Sequence, residues 1–161
     1  MSKITLPENY QSLLGLYDTQ KAIGLIKTIF QEKICMALHL KRVTAPLFVM
    51  QGGGLNDRSE ERRYALYKYG FRPGQGLVTD MNAIRRDEEL DNLHSIYVDQ
   101  WDWEKVITAD QRTLDFLQDT VRDIVDAVCA TSDELRWKFP ELKNIHLDCD
   151  VTFINTQELE D

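Results

Sequence analysis

The stretch 93–107, LHSIYVDQWDWEKVI, constrains the fold most, because it alternates like a strand yet places polar side chains where a core strand would be apolar. Successive side chains of a strand point to opposite faces. One face then carries His94, Ile96, Val98, Gln100 and Asp102, and the other carries Ser95, Tyr97, Asp99, Trp101 and Trp103. An amide and a carboxylate two residues apart, beside two tryptophans, indicate a polar pocket floored by a sheet, suited to a small charged ligand. An exposed strand with an ordinary polar face is the alternative.

The segment before it, 76–92, predicts a second strand that ends in a charged loop. Its side chains alternate between the set Val78, Asp80, Asn82 and Ile84 and the set Leu77, Thr79, Met81, Ala83 and Arg85. Arg85 ends this strand, and its planar guanidinium can hold a phosphate or carboxylate with two parallel hydrogen bonds. The charged neighbours at 86–89 leave a solvated loop arginine as the alternative.

Composition narrows the class of protein. At 161 residues, one domain with a sizeable core is expected. The net charge of −8 argues against nonspecific nucleic-acid binding, which needs a basic surface. No apolar run approaches the roughly 20 residues of a membrane helix, and no basic-then-apolar leader is expected at the start. Three cysteines, an odd number with no CxxC pair, make a poor disulfide framework, so a reducing cytoplasm is the simple expectation.

Periodicity predicts a long first helix and an edge strand. Asp18 or Thr19 caps a helix that runs to about Leu40. Its apolar positions at 3.6-residue spacing are Ala22, Ile26, Ile29, Phe30 and Ala37, widened by Leu25, Ile34 and Leu38. Pro46 then interrupts the strand VTAPLFVM. Because proline cannot donate to a strand ladder, this strand is expected at a sheet edge or an interface.

The second half predicts two helices and a strand. Thr108 and Gln111 have capping-box spacing, so a helix is expected to begin near Thr108. Thr131 or Ser132 caps a shorter helix that reaches about Phe139, where Pro140 stops it. A last strand is predicted from the alternation of Val151, Phe153 and Asn155 with Thr152 and Ile154.

Motifs of other chemistries are missing from the sequence. The glycines at 52–54 lack the following Lys and Ser/Thr of a phosphate-binding loop and the spacing of a dinucleotide site, so they indicate a turn or a substrate-facing loop. His39, His94 and His146 have no metal-ligand spacing, and no residue is assigned as a metal ligand. His94 is the better candidate site residue, because the alternation places it on the face of Gln100.

The segment GLVTDMNAIRRDEELDNLHSIYVDQWDWEKVI resembles the central segment of the ammonia-dependent asparagine synthetases, the aspartate–ammonia ligases. LPENYQSLLGLYDTQKAIGLIK at 6–27 resembles that family's N-terminus, and APLFVMQGGGLND at 45–57 resembles its first strand and Gly-rich turn. The resemblance implies an α+β fold with an antiparallel sheet flanked by helices, like the class II aminoacyl-tRNA synthetases but incomplete. It also implies a homodimer, because the long helix and Pro-bearing strand build the dimer contact in that fold.

The resemblance further implies a cytoplasmic, ATP-dependent ligase of asparagine biosynthesis. L-Aspartate and ATP would form a β-aspartyl-adenylate with Mg²⁺, and ammonia would then displace AMP. Arg85 matches the arginine that contacts the α-phosphate, Gln100 an active-site glutamine, and Asp57 an aspartate that handles the amino group or ammonia. Asp102 and His94 are expected to complete the substrate floor, and Glu88 and Leu93 to meet the adenine edge. No nucleic-acid or membrane partner is expected.

The chain departs from the family after Asp57. Family members continue through a hairpin and a strand that ends with a substrate-contacting serine and lysine, whereas this chain runs directly into RSEERRYALYKYG at 58–70. Family members are also much longer and carry a third motif. Two hypotheses follow: an aspartate–ammonia ligase in fragmentary or internally shortened form, or a noncatalytic shortened relative that acts as a dimerisation or nucleotide-binding module.

Overall fold

A computed structural model describes residues 7–44, 48–50, 57–85 and 89–160, and for 48–50 and 57–61 it describes the backbone alone. The elements in chain order are α1 (Leu16–Leu38), β1 (Leu40–Arg42), β2 (Phe48–Met50), α2 (Asp57–Lys68), β3 (Gly76–Arg85), β4 (Tyr97–Lys105), α3 (Leu114–Lys138) and α4 (Thr156–Glu160). They fall into two compact units. The sheet unit comprises 39–107 with the residues before 12, and the helical unit comprises 12–38 and the residues from 108 onward. The single domain predicted for 1–161 stays a prediction.

The sheet unit is built around β3, to which every other described strand hydrogen-bonds. β4 runs antiparallel along nearly all of it, from the pair Gly76–Lys105 to the pair Ile84–Tyr97. β1 and β2 run parallel to β3. The sheet is therefore mixed, and the predicted purely antiparallel sheet is wrong in this respect. A long connection containing α2 returns the chain from β2 to β3, and such a crossover permits the parallel pairing that a tight hairpin forbids.

β1 and β2 share the edge of β3 that β4 leaves open. Leu40 lies opposite Gly76, and Phe48 lies opposite Ala83. Five residues, 43–47, separate β1 from β2, whereas the four residues 79–82 separate their partners on β3. The register of pairing with β3 therefore changes by one residue between β1 and β2. Both strands pair only with β3 within the described ranges, as expected of an edge. Pro46 itself lies outside the described residues.

At Gly76, β3 lies close to both of its neighbours β1 and β4. A Cβ atom added there would lie 2.4 Å from the Glu104 carbonyl oxygen, 2.6 Å from Leu40 Cδ2 and 2.9 Å from Lys105 Cα. Real Cβ atoms do not approach backbone this closely, so only glycine fits between β1 and β4 at this position.

The helical unit packs α1 against α3. α1 confirms the predicted helix, although it begins at Leu16 and ends at Leu38. Its buried residues are Ala22, Ile29, Phe30, Ile34 and Leu38. Ala22 meets Leu135 and Phe139 in a small core, and Lys33 on α1 forms an ion pair with Glu134 on α3 at 3.5 Å. No helix in the described part of the chain is long and apolar enough to span a membrane.

α3 begins later than predicted. The Gln111 side chain accepts from the Thr108 N–H at 3.0 Å and from the Thr108 hydroxyl at 3.1 Å, in the capping box that the spacing of these residues predicts. This arrangement closes a single 3₁₀ turn at Ala109–Gln111. The helix proper starts at Leu114, where the Thr113 hydroxyl accepts from the Phe116 N–H at 3.2 Å.

α3 also continues without the predicted break at 131–132. Thr131 is buried, and its hydroxyl donates to the Ala127 carbonyl at 2.7 Å. The hydroxyl therefore has its hydrogen-bond partner within the helix, and Thr131 does not act as an N-cap. The stop at Pro140 is confirmed, because α3 ends at Lys138. The last strand predicted around 151–155 is wrong: these residues are extended but join no described ladder.

Candidate active site

The pairing of β3 with β4 sorts their side chains onto two faces, because residues directly opposite each other share a face. Thr79 lies opposite Asp102, and Met81 lies opposite Gln100. The Arg85 N–H donates to the Ile96 carbonyl at 2.7 Å, which extends the register by one pair. The polar residues of one face, here called the polar face, are Thr79, Arg85, Gln100, Asp102 and Glu104. The structure thus confirms that Gln100 and Asp102 share a face and adds Arg85 to it.

Arg85 and Gln100 are spaced along this face rather than adjacent. Arg85 lies beside Ile96, four residues from Gln100, which separates the Cα atoms by about 13 Å along the strand direction. Both side chains are half-buried. A ligand with a charged group at one end and hydrogen-bonding groups at the other could reach both.

A second cation, Arg62 on α2, meets the polar face. Its guanidinium donates to the Asp102 carboxylate and, through Nε, to Glu104 Oε1 at 3.2 Å. The Arg62 side chain is only 19% exposed. Sequence reasoning missed this residue because 58–70 was treated only as the point of departure from the family. The available signal was helical spacing: Leu66, four residues later, is buried on the same side of α2.

Thr79 brings an unpaired hydroxyl to the same place. The residue is 4% exposed, and its Oγ1 has no hydrogen-bond partner in the described part of the molecule. A buried hydroxyl without a partner costs about 1–3 kcal/mol of stability. Thr79 lies directly across the strands from Asp102, at the centre of the polar face.

Asp91 shapes the turn that precedes β4. Its Oδ1 accepts from the Leu93 N–H at 2.7 Å and the His94 N–H at 2.8 Å, and His94 Nδ1 lies 2.8 Å away. The hydrogen bond from the Leu93 N–H, followed by those from His94, lowers the pKa of the Asp91 carboxyl below its ordinary value.

This turn changes the placement of two candidate residues. β4 begins at Tyr97, so strand alternation cannot place His94 on the face of Gln100 as predicted. The Leu93 side chain is 89% exposed, and its N–H is donated to Asp91. Their roles as substrate and adenine contacts stay predictions.

Two other candidates cannot be joined to the polar face. Asp57 is the first residue of α2, where only the backbone is described. Glu88 lies outside the described residues. Their roles also stay predictions.

The described side chains do not form a magnesium cage. Within the described ranges, no group of three or more histidines, cysteines or carboxylates could hold a metal ion. Asp102 and Glu104 offer suitable oxygens, but both are bound to Arg62.

A cavity of about 240 Å³ opens elsewhere in the sheet unit. It lies between β1 and the turn after α2 and is lined by Lys41, Arg42, Val43, Tyr69, Gly70, Phe71 and Gln75. None of these residues belongs to the polar face. The predicted site residues Arg85, Gln100 and Asp102 lie on the polar face and not in this cavity.

Comparison with known proteins gives one family. The model of the family described as aspartate-ammonia ligase matches residues 17–61 and 59–161. An aspartate–ammonia ligase of Clostridium perfringens strain SM101 is 44% identical over 187 aligned positions, which cover all of this chain and 55% of that protein. That of Levilactobacillus brevis is 43% identical over 98% of this chain and 55% of its own length. That of Bacillus cytotoxicus is 45% identical over 94% and 54%.

Two facts about these matches bear on the site. The chain spans about half the length of the relatives it matches. The alignment with the Clostridium perfringens protein has 187 positions against the 161 residues of this chain, so that relative carries additional residues inside the aligned span. The family match falls into two pieces that meet at 59–61, immediately before Arg62.

Proposed function

As this chain belongs to the aspartate–ammonia ligase family, we propose that it derives from an enzyme that makes L-asparagine from L-aspartate, ammonia and ATP. The observation that carries the proposal is the polar face, which places an arginine, an amide and an ion-paired carboxylate on one side of the β3–β4 pair. A guanidinium suits the phosphates of a nucleotide, and an amide and a carboxylate suit the polar groups of an amino acid.

The chemistry explains why such groups are required. A carboxylate is a poor electrophile, so ammonia cannot form the amide directly. Attack of the aspartate side-chain carboxylate on the α-phosphorus of ATP releases pyrophosphate and gives a β-aspartyl-adenylate. Ammonia then attacks the activated carbonyl, and AMP leaves. The first step depends mainly on alignment and on neutralising charge at the phosphorus.

Arg85 is the group proposed to hold the α-phosphate. Its guanidinium can form two parallel hydrogen bonds with phosphate oxygens. Gln100 would donate to the substrate carbonyl or adenylate oxygen without adding charge. The separation of about 13 Å along the strand would place these two residues at different parts of one adenylate.

Asp102 is proposed to meet the substrate's amino group, with Arg62 fixing the carboxylate. Arg62 restricts Asp102 and Glu104 by binding both. The positive charge of Arg62 and the negative charges of Asp102 and Glu104 sum to −1 at this end of the polar face. A net negative charge suits an ammonium group. Asp57 is proposed to handle ammonia or the same amino group, and His94, Leu93 and Glu88 keep their proposed places at the substrate and adenine edges.

The wider assignments are proposals by family membership. They are the class II aminoacyl-tRNA synthetase-like fold, the homodimer, Mg²⁺ accompanying ATP, the cytoplasmic location and the lack of a nucleic-acid partner. The net charge of −8 supports the last of these.

The second candidate is a noncatalytic nucleotide-binding or dimerisation module. This chain lacks residues that its relative has inside the aligned span, and the family match breaks just before Arg62. This supports the second candidate, because the corresponding family segment is expected to supply substrate contacts. Loss of one group that stabilises the transition state commonly lowers the rate by about 10²–10³.

Calorimetric titration with ATP and magnesium tests the nucleotide site. We expect micromolar binding by the wild-type chain, which the Arg85→Ala variant loses. Arg63→Ala is the matched control, because this arginine is exposed on α2, and it should bind as the wild type does. AMP release with aspartate and ammonia then separates the two candidates: release supports the ligase, and ATP binding without release supports the module. No heat from a chain shown to be folded by circular dichroism would contradict both.

A further inference from the structure

An extended segment of the helical unit runs back along α3. Residues 145–155, here called the strap, follow α3 and its terminal turn. Arg136 Nη1 donates to the Ile145 carbonyl at 2.8 Å, Cys129 is joined to Cys149, and the Arg122 guanidinium lies 5.0 Å from the centre of the Phe153 ring. The strap therefore runs antiparallel to α3 along a single line of contacts.

The spacing of these contacts is regular on both sides. On α3 they come from residues seven apart, which lie on one face of a helix. On the strap they come from residues four apart, which suits an extended chain. The central contact of the three is covalent: the Cα atoms of Cys129 and Cys149 lie 6.2 Å apart, inside the range for disulfides.

Several apolar side chains of the strap are largely exposed in the described part of the molecule. Ile145 and Leu147 are each 46% exposed, and Ile154 is 55% exposed. The strap belongs to no strand ladder within the described residues. Because the strap buries little apolar surface, its position depends on its three contacts with α3: a hydrogen bond, a disulfide and a cation–π contact. The disulfide is the strongest of the three.

We propose that Cys129 and Cys149 form a redox-modification site whose reversible disulfide fixes the strap to α3. An odd number of cysteines predicts a poor disulfide framework, whereas the structure pairs Cys129 with Cys149 and leaves Cys35 free, a pairing that depends on the fold and not on cysteine number. In the reducing compartment expected for this family the pair would be mainly reduced, so its oxidation would report a change of redox state.

The reaction needs a low-molecular-weight disulfide as the oxidant. The exposed Cys149 thiolate attacks one sulfur of this reagent, forming a mixed disulfide and releasing one thiol. The Cys129 thiolate then attacks the Cys149 sulfur, and a second thiol leaves. Two protein thiols lose their protons and two electrons, and the reagent is reduced to two thiols. Excess thiol reverses both steps.

The third cysteine supplies an internal control. Cys35 lies on α1, is half-buried, and burial raises its pKa, which lowers its thiolate fraction at neutral pH. It should therefore stay reduced while the other two pair.

Peptide mapping tests the pairing. The purified chain is equilibrated with oxidised glutathione, alkylated, digested and analysed by mass spectrometry. We expect a cross-linked peptide containing Cys129 and Cys149, with Cys35 alkylated, and full alkylation of all three after treatment with reduced glutathione. A cross-link to Cys35, or three alkylated cysteines after oxidation, would overturn the proposal.

Limited proteolysis tests the consequence for the strap. Chymotrypsin can cut after Leu147 and Phe153, and we expect cleavage about tenfold slower in the oxidised chain. Cys149→Ser should be cleaved at the reduced rate under both conditions, and Cys35→Ser should keep the difference. Equal rates in the oxidised and reduced wild-type chain would refute a fixed strap. Neither test depends on ligase activity.

Discussion

At the scale of single residues, Thr79 carries a buried hydroxyl that lowers the stability of the folded protein. Replacing it by valine preserves shape and removes a hydroxyl that has no described partner. We expect Thr79→Val to raise the free energy of unfolding by about 1 kcal/mol, measured by urea denaturation. Thr79→Ser keeps the hydroxyl and loses a methyl group, so it should lower that free energy. A loss of stability in Thr79→Val would show that the hydroxyl has a partner.

The same pair of variants tests whether Thr79 contacts substrate. If a ligand uses the hydroxyl at the centre of the polar face, Thr79→Val should weaken L-aspartate binding in the presence of ATP, and Thr79→Ser should retain it. Calorimetric titration of both variants against the wild type gives the comparison.

Asp91 predicts a local pH dependence. Its folded-state pKa is lowered, so its contribution to stability is present above the ordinary value of 3.8 and is lost as the pH falls through the lower folded-state value. The amide signals of Leu93 and His94, followed by NMR between about pH 6 and about pH 2, should shift with a midpoint below 3.8. Asp91→Asn should abolish that transition. A midpoint at or above 3.8 would contradict the hydrogen bonds described.

Single residues also show what a sequence can and cannot predict. Period-two alternation placed Gln100 and Asp102 on one face, because it depends only on neighbours in the chain. Arg62 could not be placed that way, because its contact with Asp102 depends on how α2 docks on a strand forty residues later. Alternation does not apply to His94, because this residue lies in the turn formed by hydrogen bonds to Asp91, before β4 begins.

At the scale of elements, Gly76 fixes how closely β1, β3 and β4 assemble. Gly76→Ala would push Cβ into the Glu104 carbonyl, so we expect a loss of about 1–3 kcal/mol in the free energy of unfolding. Gly24→Ala is the control, because a Cβ atom added at this position in α1 would meet no described atom within 4 Å outside the helix's own backbone. This variant should raise the free energy of unfolding by about 0.5–1 kcal/mol. Thermal unfolding of both variants should therefore shift in opposite directions. A neutral Gly76→Ala would mean that the strands are farther apart than described.

The link between α2 and β4 is open to a double-mutant cycle. Arg62→Met keeps the apolar stem and removes the charge, and Asp102→Asn removes the partner's charge. Because the pair is largely shielded from solvent, we expect a coupling energy of about 1–2 kcal/mol from urea denaturation of the two single variants and the double variant. Arg63→Met, an exposed neighbour, should show no coupling to Asp102→Asn. Additive effects of Arg62 and Asp102 would remove Arg62 from the proposed site.

Among the elements, the long periodic ones were predicted and the short ones were not. α1 and the pairing partners β3 and β4 carry strong repeating patterns. The break expected in α3 failed because Thr131 bonds back to Ala127, an option that a capping residue always has inside a helix. The strand expected at the end failed because alternation cannot reveal whether a partner strand exists, and this segment lies along a helix.

At the scale of the whole molecule, an experiment can restore the residues that the Clostridium perfringens relative has and this chain lacks inside the aligned span. We expect that inserting the additional residues of the Clostridium perfringens relative at 59–61 strengthens L-aspartate binding about tenfold or more, because that segment is proposed to supply substrate contacts. A Gly/Ser insert of equal length controls for a change in loop length alone. Equal aspartate affinity for both inserts would favour the noncatalytic module.

Because the other described strands pair with β3, the sheet cannot form until β3 has been synthesised. β1 and β2 pair only with β3 among the described strands, yet Leu40 must wait for Gly76 to be synthesised before it has a partner. These nonlocal parallel pairs close large loops, which slows folding, whereas β3 and β4 meet across a short connection. During synthesis the first two strands therefore leave the ribosome before β3, and unpaired strand edges of this kind favour aggregation.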